Sequence, residues 1–463
     1  MSRIGLSDSM VSISAQPAVI ALVGRCLWFL LVTLALTLPG QAQDWIRTGT
    51  GLGVEKVRLA VPDFKPGTSD PKNTDLLQEF NSVLWNDLDN AGIFDMVSKS
   101  FYPLDVPGAP PEVHFEAWNV LPPNASMLVF GNLAAAGANV TVQGWLFDVK
   151  NVSSPQVLGK QYQDAATKDA VRVIAHKFAD EIIFRLGGGI PGIAESRIYF
   201  VSDRSGHKEL WGMDYDGSNQ RQITHLGSIS ISPRVSPDGS RLAFSSLEKN
   251  GWEIRMYSFD LSRLVTFPAF SGTNLSPSWS PDGTKLAFSS SRGGEPNIYI
   301  MDAAGANLRR LTSDKGPDVS PSWNRKTGAQ LAFVSGRTGL PQIYTMETDG
   351  TNQQRLTDQG YAVSPSWSPN GQFLTFSWFR KYGPGAPGAN DIYLMDIASK
   401  QWVQLTHDGG RNDFPSWSPD GRHIVFQSSR TGSEQIWMML ADGSKAQQLT
   451  FGGRNTQPNW SWK

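Results

Sequence analysis

From residue 197 to the end of the chain, short apolar runs of about six residues recur, each closed off by a polar turn, and none holds a helical period. "KLAFSS" (285–290) and "NIYIMD" (297–302) are representative. Neither alternates cleanly between apolar and charged positions, as expected of strands buried on both faces. A Pro-x-Trp triplet sets the beat: Pro233, Pro277, Pro321, Pro365, Pro415 and Pro458 lie 44, 44, 44, 50 and 43 residues apart. Trp follows in five copies (Trp279, Trp323, Trp367, Trp417, Trp460), and Val235 takes its place in the first. A period of about 40–50 residues carrying four short strands is that of a β-propeller blade, so six copies predict six blades over 191–463.

In one unit, strand one is expected at 276–280, strand two at 285–290, strand three at 297–302 and strand four at 308–312. "SPDG" between strands one and two reads as a type I turn, with Pro281 and Asp282 in its middle and Gly283 closing it. The repeat begins at Arg197 with strand two and ends with strand one, "NWSWK". Pairing 459–462 with 197–202 would complete the first blade and remove two open sheet edges.

Residues 43–190 have another texture. "KVRLAVPDF" (56–64), "MLVFGNL" (127–133) and "NVTVQGWLFDV" (139–149) read as strands. Leu77, Phe80, Leu84 and Leu88 recur at helical spacing between Thr74 and Ala91, with Gly92 as the stop. Lys168–Leu186 reads as a second amphipathic helix. The expectation is a multidomain chain: a small α+β amino-terminal domain with a mixed sheet, a "GGGIPG" linker (187–192), then the all-β propeller.

The first 42 residues stand apart. Arg25 precedes the apolar run "LWFLLVTLALTL" (27–38), and small residues follow at Gly40 and Ala42. This reads as an export signal cleaved near Ala42, with translation starting at Met1 or Met10. The rival reading, a retained anchor, asks twelve apolar residues to span hydrocarbon that needs about 20. Cys26 is the sole cysteine and lies in the leader, so the exported chain relies on packing and not on disulfides. Lys plus Arg (41) and Asp plus Glu (42) nearly cancel, which gives no basic field for nucleic acid.

Enzyme signatures do not appear. There is no G-x-S-x-G and no G-x-G-x-x-G leading from a strand into a helix, and the six histidines lack metal-ligand spacing. No cofactor or catalytic residue is expected. The strand directions instead separate two faces. Turns after strands one and three are short, whereas loops after strands two and four are long, variable and polar, including 379–391. Binding residues concentrate on such loops. Their tips carry Lys315, Asp318, Asp358, Arg411, Asp413 and Arg454, a mixed-charge funnel, with Tyr361 and Phe414 as candidate aromatic anchors. A basic residue recurs after strand two (Arg204, Lys249, Arg292, Arg337, Arg430), and that regularity favours a structural role.

An exported chain with this order of domains, the junction "GIAESRIYFVS" (192–202), "LAVPDF" at 59–64 and repeated "PSWSPDG" resembles the TolB family over its whole mature length. The resemblance implies a non-enzymatic periplasmic protein of the Tol–Pal system, which supports outer-membrane integrity and constriction at cell division. It implies that the propeller mouth binds a Pal-like peptidoglycan-associated lipoprotein. It also implies that the amino-terminal segment 43–54, with Trp45 and Ile46 as anchors, binds a TolA-like inner-membrane-anchored protein. The family's contacts just before each blade proline map onto Ser232, Ser276, Ser320, Ser364, Phe414 and Gln457. Its acidic contact falls on Ser276 and a histidine on Ile229, so two of its contact chemistries are changed here. Two alternatives stay open: a secreted propeller enzyme acting on peptides or glycans, and a stand-alone ligand-binding propeller.

Overall fold

The computed structural model describes residues 55–379, 390–407 and 409–462. The expected leader (1–42), the segment 43–54 with Trp45 and Ile46, and most of the 379–391 insertion lie outside the described residues.

The amino-terminal domain is one mixed sheet. Its elements are β1 (Val57–Ala60), β2 (Lys65–Pro66), α1 (Lys72–Asn90), β3 (Phe94–Met96), α2 (Phe115–Asn119), β4 (Met127–Ala136), β5 (Asn139–Asp148), β6 (Gln156–Ala165) and α3 (Lys168–Leu186). The strand order is β3-β1-β4-β5-β6, with β2 added on β4. β1 pairs in parallel with β3 and β4, and the remaining ladders from β4 to β6 are antiparallel. The expected single strand at 56–64 is shorter than the pattern suggested: it stops at Ala60, just before Val61-Pro62, because proline has no N–H for a ladder. β6 escaped sequence reading because "QVLGKQYQDA" is largely polar on an exposed edge.

α1 and α3 pack on one face of the sheet through Phe80, Phe178 and Phe64, whose rings meet at 4.8 and 6.1 Å. Gly131 and Gly144 face each other across β4 and β5. A Cβ on Gly144 would sit 2.6 Å from the Phe178 ring and one on Gly131 2.3 Å from the Phe64 ring, so the paired glycines let both rings approach the sheet closely. Thr167 caps α3 by accepting the Ala170 N–H.

Beyond Ser196 the described chain forms six four-stranded antiparallel sheets. In the unit read above, the strands are Asn274–Trp279, Lys285–Ser290, Asn297–Asp302 and a two-residue outer strand, Arg309–Arg310. The "SPDG" turn is held by its own side chains. Ser280 Oγ donates to Asp282 Oδ1 (2.5 Å), which accepts the Thr284 N–H (3.0 Å), and Ser280 Oγ accepts the Lys285 N–H (2.9 Å). Each tryptophan is a wedge between blades. Trp279 donates to the Arg234 carbonyl of the preceding blade (2.9 Å), and Trp417 to that of Ser366 (3.2 Å).

The ring closes as the repeat phase predicts. Asn455–Trp460 is the innermost strand of the sheet that also holds Arg197–Ser202, with Trp460 opposite Ile198. The strand therefore begins four residues before the expected 459. Trp460 is fully buried and donates to Ser196 Oγ (2.7 Å). Trp462, within the expected closing strand 459–462, instead stacks on Arg325 (4.3 Å) and lines the central channel.

The amino-terminal domain sits on the face of short turns. Tyr215 donates to Asp87, whose other oxygen accepts from His176 (2.7 Å). Arg172 reaches Asp216 (2.6 Å), Lys445 reaches Asp89 (2.7 Å) and Arg422 donates to the Gly187 carbonyl (3.0 Å). Tyr215, Asp216, Arg422 and Lys445 all belong to turns after strand one or strand three. The "GGGIPG" stretch is clamped in this interface. A Cβ on Gly192 would lie 1.8 Å from the Asp180 carboxyl, so only glycine passes there. Burial pushes Asp180 up to about 7.

Two outcomes follow for stability. Trp460→Ala removes a fully buried indole at the closure and should lower the unfolding free energy by about 3–5 kcal/mol in urea titrations. Asp180 binds its proton more tightly folded than unfolded, so its contribution is present at low pH and is lost as pH rises from about 4 through about 7. Asp180→Asn keeps the acceptor for Ala194 N–H. The variant should gain at least about 1 kcal/mol over the parent at pH 8 and little at pH 4, read from urea midpoints at both values.

Candidate partner interface at the propeller mouth

Every innermost strand carries the same irregularity. The residue before the blade proline adopts a left-handed conformation: Ser232, Ser276, Ser320, Ser364, Phe414 and Gln457 have φ between 52 and 55°. The ladder register shifts at each of these points, so each is a β-bulge. A non-glycine residue in this region costs about 1–3 kcal/mol and persists where its surroundings hold it. Neighbouring blades do so. Gln457 Oε1 accepts the Ser232 N–H (2.7 Å), Gln427 Oε1 accepts the Gln457 N–H (3.0 Å), and Ser245 Oγ accepts the Ser276 N–H (3.1 Å). The six residues singled out by family resemblance are thus one strained ring at the loop-side end of the channel.

The funnel residues divide into several groups. Arg411, Asp413, Phe414, Arg454 and Gln457 line one groove of about 170 Å³, where the last repeat meets the closing sheet. Asp413 is buried and organises this wall: its Oδ1 accepts from Ser364 (2.8 Å), Ser377 (2.7 Å) and the Phe414 N–H (2.7 Å). Phe414 is half-buried and borders both this groove and the channel. Arg454 is paired with Glu434 (2.6 Å), and that hydrogen bond holds the Glu434 carboxyl below its usual range. Arg411 is exposed, forms no ion pair among the described residues, and lies over the Phe379 ring (5.8 Å). Tyr361 is 38% exposed and touches Phe379 edge-on, outside the groove.

Asp318 is a correction. It is fully buried and held by Arg337 (3.2 Å), so it is not a loop tip facing outward. The recurring basic residues account for this. Arg204, Arg337 and Arg430 each return to a serine two residues back and stack on the aromatic of strand three: Trp211 (4.2 Å), Tyr344 (4.8 Å) and Trp437 (4.6 Å). They clamp their own blades, as the regular spacing implied.

Asp203, Lys208, Gln427, Glu434 and Thr456 complete the groove but were not singled out from the sequence. The signal was present for Asp203, Lys208 and Glu434, which stand in loops after strand two on the face already chosen. Among the described residues no cluster of three or more His, Cys, Asp or Glu side chains is placed to hold a metal, and no helix is long and apolar enough to cross a membrane.

Comparison with known proteins places these features in context. The sequence profile of the TolB beta propeller domain matches residues 185–383 and 359–463, and that of the TolB amino-terminal domain matches 50–154. The Tol-Pal system protein TolB of Cereibacter sphaeroides is 33% identical over 251 residues, 53% of this chain and 54% of the relative. That of a Ruegeria species is 35% identical over 228 residues, 47% of this chain and 50% of the relative. The chain thus matches about half the length of these relatives. The crystal structure of TolB from Acinetobacter baumannii superposes with a TM-score of 0.73 at 24% identity, covering 88% of this chain and 97% of that one, a likeness of fold.

Asp318→Asn should lower the unfolding free energy by about 2 kcal/mol, because it leaves Arg337 without its buried partner while Asp314 still pairs with it (2.9 Å). Urea unfolding reads this directly, and an unchanged midpoint would contradict the assignment.

Proposed function

Since the chain belongs to the TolB family, we propose that it is a periplasmic, non-catalytic binding component of a Tol–Pal envelope system. In this reading the loop face of the propeller docks a Pal-like peptidoglycan-associated lipoprotein, and the segment 43–54 engages a TolA-like protein through Trp45 and Ile46. The protein would thereby support outer-membrane integrity and constriction at division.

One observation carries the choice of face. The amino-terminal domain covers turns on one side of the propeller, through Tyr215, Asp216, Arg422 and Lys445, whereas the loop side keeps its groove and its strained ring. A folded partner needs a surface rigid enough to present its contacts without further ordering cost. Asp413 and the bulges supply that rigidity beneath Phe414 and Arg411. The exposed Arg411 charge, without an ion pair among the described residues, sets orientation and on-rate, and the partly exposed Phe414 ring supplies apolar area to bury.

The mature protein should therefore capture Pal from envelope extract. Phe414→Ala and Arg411→Ala should each weaken that binding by more than about 1 kcal/mol, or more than about fivefold in Kd by calorimetry. Asp238→Asn and Asp282→Asn, in turns on the other face, should leave the affinity unchanged. The reverse pattern would put the functional face on the wrong side.

A further inference from the structure

Beneath the strained ring the propeller encloses a cavity of about 70 Å³, and its lining departs from the repeat in a single electrostatic direction. At the middle of Pro-x-Trp the copies carry Ser278, Ser322, Ser366, Ser416 and Asn459, all small and neutral, but the first copy carries Arg234. Two residues after the tryptophan position stands the proline of "SP" in four copies, Trp462 in the closing one and Arg325 in "NRKTG". Both arginines line the channel cavity, and among the described residues no carboxylate side chain lines it.

Neither guanidinium has an ion-pair partner among the described residues. Among the described residues the Arg234 guanidinium donates to the carbonyl of its neighbour Pro233 (2.7 Å), and Arg325 lies against the Trp462 ring (4.3 Å). Some of each side chain's surface opens onto the lumen, yet protein surrounds it on all sides. Burial brings Arg234 down to about 10, and burial with the Arg234 charge brings Arg325 down to about 10. Both remain cations at neutral pH, so two positive charges without an ion-pair partner among the described residues share one lumen.

The wall between them offers donors. Ser278 Oγ accepts the Trp323 N–H (3.2 Å) and Ser416 Oγ accepts the Trp460 N–H (3.1 Å), which leaves each hydroxyl proton free to point into the channel. About 10–15 Å³ of such space holds one water, so the cavity has room for roughly five waters or one small ion with some of its hydration. Guanidinium forks and hydroxyl donors, with no acidic side chain among the described lining residues, are the chemistry that selects an oxyanion.

We propose that the propeller channel is a binding site for a small inorganic oxyanion of the phosphate type, held between Arg234 and Arg325. The site is independent of the lipoprotein-binding reading, because its ligand is read on the free protein. The test is calorimetric titration of the mature chain with inorganic phosphate at fixed ionic strength, with chloride and acetate in parallel arms and melting temperature as a second readout. Phosphate should bind and raise the melting temperature by at least about 2 °C at saturation, with chloride giving neither effect. Acetate binding as tightly as phosphate would overturn the assignment to a tetrahedral anion. Arg234→Ser installs the side chain found at that place in four other copies, and Arg325→Gln keeps length and polarity. Each should weaken phosphate binding at least about tenfold while melting no lower than the parent in chloride. Equal phosphate affinity in parent and variants, or no phosphate effect beyond chloride, would remove the site.

Discussion

The pairing of Asn455–Trp460 with Arg197–Ser202 is the interaction on which the rest of the propeller depends. Each blade is a four-stranded sheet that cannot bury both faces alone, so its stability comes from its neighbours. An open ring would leave two blades with one bare face each and two unpaired strand edges. Closure supplies both missing partners with one strand, and Trp460 fills the seam with a fully buried ring. The bulge ring depends on it as well: Ser232, in the first complete repeat, is held by Gln457 from the closing strand. Without the last strand, the first and last positions of the mouth would lose their shared geometry.

Domain docking then turns a nearly symmetric ring into a two-sided object. The turns after strands one and three differ little between blades, yet only those carrying Tyr215, Asp216, Arg422 and Lys445 make the described contacts with the amino-terminal domain. Much of that interface is polar and buried, with Asp87 serving both His176 and Tyr215. Buried polar groups contribute little net stability but are costly to mispair. Such an interface specifies one docking position more sharply than it strengthens it. The described contacts of the amino-terminal domain leave the long-loop face uncovered.

Much of this architecture was legible because propeller physics writes itself into sequence at short range. "SPDG" works through bonds spanning two to five residues, so the turn is visible in four letters. The helix at Lys168–Leu186 falls where its periodicity put it, and the two central strands of the unit at 274–310 where their apolar runs did. The site was less legible for the opposite reason. Whether Asp318 faces a partner or its own blade depends on Arg337, nineteen residues away in a loop whose path the sequence does not specify. Trp462 fell within the expected closing strand, yet one residue beyond the described contact of Ser461 with Arg197 the chain has left the ladder and turned into the channel. Position along a repeat is encoded locally, while exposure and pairing are set by what arrives from elsewhere.

The repeat also supplies a baseline against which individual residues can be weighed. At the bulge, serine stands in four sheets, being small and able to bond its own backbone in a left-handed conformation. Phe414 and Gln457 occupy the same backbone geometry with φ of 53 and 52°, without that advantage. Scaffold requirements explain the serines and Gln457, whose side chain holds the Ser232 N–H, but they do not explain why the adjacent sheet carries a phenylalanine at equal strain. Those two sheets border the same groove, with Arg411 and Arg454 at its rim. The Pro-x-Trp centre behaves alike: small neutral residues meet the packing need five times, and Arg234 exceeds it once. In a ring whose blades share one packing problem, a residue costlier than its counterparts is explained by what it faces in the mouth or the channel, because the fold already has the cheaper solution in the other blades.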